Sequence, residues 1–230
     1  MSEQEGDRNQ INIAIDGPAG AGKSTVARMV AGQLNYVYID TGAMYRAVTL
    51  MAQRSGIEAN DTDALAKLVE QLRIMLKPGE KVQAVFVNGE DVTNQLRSRE
   101  VTLQVSYYAA QESVRSMLGK LQREMAASKG VVMDGRDIGT HVLPDAELKV
   151  FLTASVQERA LRRYNEIKDS QSISLSQLEQ EIAERDALDE KRAISPLTRA
   201  ADALLLDSTG KSIDEVVEEI VRLKNRVSTL

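Results

Sequence analysis

The chain has 230 residues, of which 43% are apolar and 27% charged, enough apolar content to build one sizeable core. Its formal net charge is −5 and it has no cysteine, so it would repel nucleic acid and anionic membrane overall, and it can hold neither a disulfide framework nor a thiolate metal site. No stretch approaches the ~18 apolar residues of a membrane span, and residues 1–10 lack the apolar centre of a signal peptide; they read as a disordered lead-in. The cytoplasm is the expected compartment, and any anionic ligand must be held by local charge.

Ile11-Asn12-Ile13-Ala14-Ile15 reads as a short strand that ends at Asp16. Gly17-Pro18-Ala19-Gly20-Ala21-Gly22-Lys23-Ser24-Thr25 follows, fitting G-x-x-x-x-G-K-S, and Val26, Met29, Val30 and Leu34 continue at helical spacing. Strand, loop and helix in that order give the pattern its meaning as a phosphate-binding loop. Glycines let backbone N–H groups turn inward on phosphate oxygens, and the helix N-terminus adds partial positive charge. Lys23 would bridge the terminal phosphates of a polyphosphate, and the Ser24 hydroxyl would hold Mg²⁺.

A second strand, Tyr36 to Ile39, closes at Asp40-Thr41-Gly42, and a helix with Met44, Ala47, Val48 and Met51 on its buried stripe runs toward Gly56. This is the rhythm of a parallel sheet covered by helices. It breaks over about 60–95. Leu65, Leu68, Val69 and Leu72 predict a short helix; Ile74 to Leu76 and Val82 to Val87 read as strands; Asn88-Gly89 marks a hairpin returning through Glu90 to Val92. The expectation is an antiparallel insertion on the main sheet.

Ser98 to Ser128 is helical in pattern, and Gly130 ends it. Val131-Val132-Met133-Asp134 is a continuously apolar run closed by a carboxylate, as in a buried central strand whose C-terminal end meets a ligand, and it leads into Gly135-Arg136-Asp137. Leu148 to Leu152 is a further strand. The next helix carries Arg159, Arg162 and Arg163 on one face; a polar stretch, Asp169 to Ser172, separates it from a helix over Ser176 to Lys191. A last strand, Ala203 to Asp207, precedes an amphipathic terminal helix that carries Ile213, Val216, Val217, Ile220 and Leu223.

Four motifs together, Ile13 to Thr25, Asp40 to Arg46, Asp134 to Thr140, and Arg185-Asp186 running on to Lys191-Arg192-Ala193 and Pro196-Leu197, closely resemble the bacterial cytidylate kinases, the CMP/dCMP kinases among the nucleoside monophosphate kinases. The likeness covers the chain from Ile11 onward. It implies an α/β P-loop kinase fold: a five-stranded parallel sheet flanked by helices with the P-loop strand central, an antiparallel β insertion and a helical lid. The implied organisation is a single domain over 11–230, with a nucleotide-monophosphate-binding insertion at about 60–95 and a lid at about 155–191. The resemblance assigns Gly17 to Thr25 to ATP phosphates and Mg²⁺, and Arg46, Arg136 and Arg192 to the phosphate of CMP. Thr41 stands where relatives often have serine. Ser106, Arg115 and Asp137 resemble the cytosine-reading set, Asp189 the ribose contact, and Arg159 and Arg163 the lid arginines that reach the transferring phosphoryl group. Lys23, Arg136, Arg159 and Arg163 are the catalytic set so implied, in a monomer acting on ATP and CMP or dCMP.

Taken without the resemblance, these side chains also have ordinary readings. Arg159, Arg162 and Arg163 fit an exposed helix face, and Arg185, Asp189 and Arg192 fit surface ion pairs worth ~0.5 kcal/mol each. Asp137 beside Arg136 fits a pair at a strand end. The single histidine, His141, is expected to be structural, because an ionised phosphate acceptor needs no general base. Two rival functions follow from the same loop: a kinase of UMP or AMP, decided by the base pocket, and a GTP-binding switch. Asp207 to Gly210 spells D-x-x-G, but it follows the last strand, and no N-K-x-D motif exists in the chain.

Overall fold

The structure, a computed structural model, describes residues 10–79, 82–168 and 172–227. The expected lead-in therefore lies, apart from Gln10, outside the described residues, as do positions 169–171 of the polar stretch. In chain order, β1 (Asn12–Asp16) leads to α1 (Lys23–Leu34), and β2 (Val37–Asp40) to α2 (Thr41–Arg54). Then come α3 (Thr62–Gln71), β3 (Ile74–Lys77), β4 (Ala84–Val87), β5 (Glu90–Asp91), α4 (Arg99–Ala109) and α5 (Glu112–Ala126). β6 (Val131–Gly135) and β7 (Leu148–Thr153) precede α6 (Val156–Ile167) and α7 (Leu175–Lys191); β8 (Leu204–Asp207) and α8 (Ile213–Val227) follow.

Five strands form a parallel sheet in the order β2-β6-β1-β7-β8, with the P-loop strand in the middle. Every residue of β1 and β6 is buried, as their near-continuous apolar runs require of strands covered on both faces. Alternation within them divides the core. Ile13, Ile15 and Val132 join one cluster with Val26, Val30, Val216 and Ile220 of α1 and α8; Ala14, Val131 and Met133 join another with Met44, Val48, Val101 and Leu118 of α2, α4 and α5. The sheet is thus sandwiched, and its C-terminal edge, where Asp16, Asp40 and Gly135 end their strands, opens toward the cleft.

The insertion differs from expectation in one respect. β3, β4 and β5 form their own three-stranded antiparallel sheet, not an extension of the main one. The hairpin at Asn88-Gly89 has positive φ at both residues, 50° and 88°, the geometry that lets a two-residue turn follow the twist of its strands. Ile74, Val85, Val87 and Val92 nonetheless pack into the same apolar cluster as α2 and α5, so the insertion shares the core while keeping separate hydrogen bonds. The helical stretch from Ser98 divides because Gln111 is extended, at φ −81° and ψ 134°. α6 and α7 form a pair with a small cluster of their own, Ala160, Ile167, Leu178 and Ile182.

Candidate active site

The loop after β1 can exist only with glycine at its turns. Gly17 has φ 148°, and a Cβ there would lie 2.0 Å from the Leu152 carbonyl oxygen; Gly22, which caps α1, has φ 85°. Lys23 is 5% exposed, and its Nζ donates to the Pro18 carbonyl at 2.7 Å, closing the loop on itself. Burial holds this ammonium well below its ordinary pKa, the Arg136 charge pushes the same way, and Asp134 and Asp16 oppose it. A polyphosphate entering here would restore the missing negative charge.

Asp134, at the end of β6, meets the loop. Its carboxylate accepts from the Ser24 hydroxyl and from the Tyr38 hydroxyl, both at 2.9 Å. Burial, with the Asp40 charge second, raises its pKa to about 6. Ser24 and Asp134 are hard oxygen donors side by side, and among the described residues no group of three acidic or histidine side chains could cage a metal. That donor set suits Mg²⁺, which keeps waters and substrate phosphates in its shell and needs only one or two protein ligands.

Across the cleft, arginines arrive on separate elements, each with a carboxylate. Asp40 caps α2 through the Ala43 N–H at 2.7 Å and accepts Arg46 on both oxygens at 3.4 Å; Arg97 approaches it at 3.8 Å. Asp189 accepts the Ser106 hydroxyl at 3.0 Å and Arg136 Nε at 2.9 Å. Asp137 pairs with Arg115 and, at 3.3 Å, with Arg192. Thr41 turns its hydroxyl to the Asp134 carbonyl at 2.6 Å, so its extra methyl is accommodated at the cleft wall. Arg185 and Asp189 on α7 and Arg192 just after it, which by spacing alone fit surface ion pairs, are turned inward against this cluster.

Arg159 departs from the expectation for a lid arginine. It is 4% exposed and its guanidinium donates to Ala154 O at 2.9 Å, to Ala19 O at 2.8 Å and to Asp186 at 2.6 Å, so it stands behind the loop rather than among the cleft-lining side chains. Asp186 in turn accepts the Ala19 N–H at 3.1 Å, and the two residues brace the loop from α6 and α7. Arg162 and Arg163 do line the cleft, held by Glu158 at 3.0 Å and Glu166 at 2.9 Å. His141 is exposed, its ring bonded to the neighbouring Thr140 hydroxyl at 2.9 Å, in a wide helical turn over Ile138–Val142. Asp207 folds back on the Thr209 N–H at 2.9 Å in a turn after β8.

Four side chains of the site escaped the sequence reading. Asp134 and Asp40 were visible as strand ends opening two of the motifs, but without a role of their own. Asp186 and Arg185 lay within a motif, with no spacing to say which way they faced. Arg185 lines the cleft, its Nε is buried without a hydrogen-bond partner, and burial followed by the Arg136 charge pushes its pKa down to about 10. A half-buried guanidinium beside other cations, with one unpaired donor and lining the cleft, suits an anion. The whole cleft encloses about 1360 Å³, runs from Gly20 to Gln111 and contains both the loop and the arginine cluster.

Comparison with known proteins gives a consistent result. The family described as cytidylate kinase matches residues 13–226. A cytidylate kinase of Pediococcus pentosaceus is 53% identical over 221 residues, 96% of this chain and 98% of its own length. One from Ligilactobacillus salivarius is 54% identical over 215 residues, 93% of this chain and 96% of its own length. Among solved structures, a gluconokinase from Sinorhizobium meliloti superposes with TM-score 0.51 at 16% identity, covering 96% of this chain and 95% of that one. An uncharacterised protein from Eubacterium ventriosum reaches 0.55 at 12% identity, covering 94% and 99%. These distant structures share the fold.

Proposed function

This chain belongs to the cytidylate kinase family, and from that premise we propose that it transfers the γ-phosphoryl group of ATP to CMP or dCMP, giving ADP and CDP or dCDP. The observation that carries this reading is the arrangement around Asp137: a buried carboxylate between Arg115 and Arg192, in the same cleft as the phosphate-binding loop. Cytosine offers an exocyclic amine beside two acceptors, so a carboxylate and an arginine placed together can read it from both sides. Ser106 is held by Asp189, to which this reading assigns the ribose contact.

Transfer between two phosphates needs positioning and charge neutralisation rather than a base. In this reading Gly17 to Thr25 cradle the ATP phosphates, Lys23 neutralises the moving group, and Ser24 with Asp134 would hold Mg²⁺. When bound, Mg²⁺ would withdraw charge from the phosphate oxygens. Arg46, Arg136, Arg185 and Arg192 seat the acceptor phosphate, with Thr41 on the wall beside them. Arg162 and Arg163 come from the lid, about 155–191, whose separate small cluster supports movement against the core. Arg159 braces the loop. The domain proposal stands at 11–230, with the insertion at about 60–95. A monomer is proposed from the family resemblance, and the absence of cysteine suits the cytoplasm.

A coupled assay with ATP and CMP, dCMP, UMP or AMP as acceptor tests the proposal. CMP and dCMP should give the highest kcat/KM. Preference for UMP or AMP, or slow GTP hydrolysis without transfer, would overturn it.

A further inference from the structure

Gln83 stands immediately before β4, at the start of the insertion's central strand. Its side-chain amide lies against β2 and is bonded both ways: Oε1 accepts the Asp40 N–H at 3.0 Å, and Nε2 donates to the Tyr38 carbonyl at 2.5 Å. β2 is an edge strand, and its one neighbour is β6. Val37 directs its main-chain N–H inward, to Gly130 at 2.8 Å, so Tyr38 and Asp40 direct theirs to the open edge. In a parallel ladder one residue of a neighbouring strand would donate to the first of these and accept from the second. The Gln83 amide reproduces that pairing, in the place of one residue of a sixth strand.

Both groups so held lead into the cleft. Asp40 caps α2 and carries Arg46 on its two oxygens, while the Tyr38 hydroxyl holds Asp134. Arg97, just past the insertion, reaches the same Asp40 carboxylate at 3.8 Å. Asp40 is therefore met from both sides, on its backbone by Gln83 and on its side chain by Arg97. Arg46 is half-buried, its Nε has no partner, and Asp40 is its one ion-pair partner among the described residues. Its aim is set by where Asp40 sits.

We propose that Gln83 is a positioning residue for the acceptor phosphate, fixing Asp40 and through it Arg46, so that the antiparallel insertion aims this arginine. The inference rests on the reading of the cleft as a nucleoside monophosphate kinase site. It predicts a one-sided defect, because the ATP loop is built on β1 and α1 and takes no bond from Gln83.

The test is steady-state kinetics on the full chain with each substrate varied in turn, at a temperature where melting curves show all variants folded. Gln83→Ala should raise KM for CMP about tenfold and leave KM for ATP within about twofold, as a modest misplacement of one binding group would. Gln83→Glu keeps the length and the acceptor but cannot donate to Tyr38 and adds a charge beside Asp40, so it should do no better than alanine. A packing role would leave glutamate near wild type. In an Arg46→Lys background the Gln83→Ala step should shrink to about twofold, since its effect passes through Arg46. In the unliganded protein, the Asp40 amide should exchange faster in Gln83→Ala. An unchanged KM for CMP, equal rises in both KM values, or a full effect in the Arg46→Lys background would overturn the inference. If the wild type prefers another nucleoside monophosphate, the function proposed above fails, and the same KM comparison with that acceptor still tests the clamp.

Discussion

The two halves of the cleft are built in opposite ways. The donor half is a run of nine consecutive residues, Gly17 to Thr25, shaped by glycine dihedrals and by a bond from Lys23 to Pro18 five residues away. The acceptor half draws Arg46, Arg115, Arg136, Arg185 and Arg192 from four separate regions, and its ion pairs join residues 22, 53 and 55 positions apart. Backbone geometry makes the first site and side-chain charge makes the second. The loop holds anions with oriented N–H groups, which remain solvent-compatible when empty. Buried guanidiniums cannot remain unpaired in that way, so Asp40, Asp137 and Asp189 accompany them. On the function proposed above, an acceptor phosphate would share or displace the carboxylates already in place.

The sharpest break in the donor half is Lys23→Met. It should lower kcat by at least ~10³ while leaving the fold intact, because it removes a charge acting on the transferring group; near-normal turnover at saturating ATP and Mg²⁺ would count against the assignment. In the acceptor half, Asp137→Asn should erode the preference for CMP over UMP, which the lost charge-assisted bond places at roughly 30- to 1,000-fold. The loss should fall mainly on kcat/KM for CMP. Retention of the full preference would remove Asp137 as the base reader.

Asp16 ties the halves together, since its carboxylate on the central strand accepts the Ile138 and Gly139 N–H groups at 2.8 Å and 2.7 Å. Burial raises its pKa from 3.8 to about 6, against the lowering effect of those two bonds. The native state therefore keeps a proton that the unfolded chain releases: the contribution is full below pH ~4 and is lost as pH rises through about 6. Urea unfolding should show the wild type losing up to about 3 kcal/mol relative to Asp16→Asn across that window; parallel pH profiles would show that the carboxyl is not held protonated. The smallest expected effect is that of Arg185→Met, a rise in KM for CMP of ~10- to 30-fold with KM for ATP little changed, as loss of one charge-assisted contact implies. Equal changes for both substrates would merge the halves that the structure separates.

Much of this was legible in the sequence. The strand Ile11 to Ile15, the loop and its helix are set by local pattern, and so is the turn at Asn88-Gly89, because positive φ at adjacent residues is a property of those residues. The continuously apolar Val131 to Met133 announced a buried central strand, and the structure places it beside β1. Motif likeness named the arginines at 46, 136 and 192 as phosphate ligands, and the structure gathers them around one cleft without a ligand to show the contacts.

Other features depended on packing. Helical spacing put Arg159, Arg162 and Arg163 on one face, yet Arg159 is drawn inward by Ala19 and Asp186 while its two neighbours line the cleft. Spacing on α7 could not say whether Arg185 faced solvent or other arginines, since a helix face acquires its environment only from what docks against it. The insertion's strands were readable, but their separation from the main sheet was not: β3, β4 and β5 pair with one another, and it is the Gln83 amide that bonds to the edge of β2. Periodicity and turn chemistry act over a few residues and are written in the chain. Which carboxylate meets which arginine across 50 residues or more is decided only when the sheet and its covering helices close on one another.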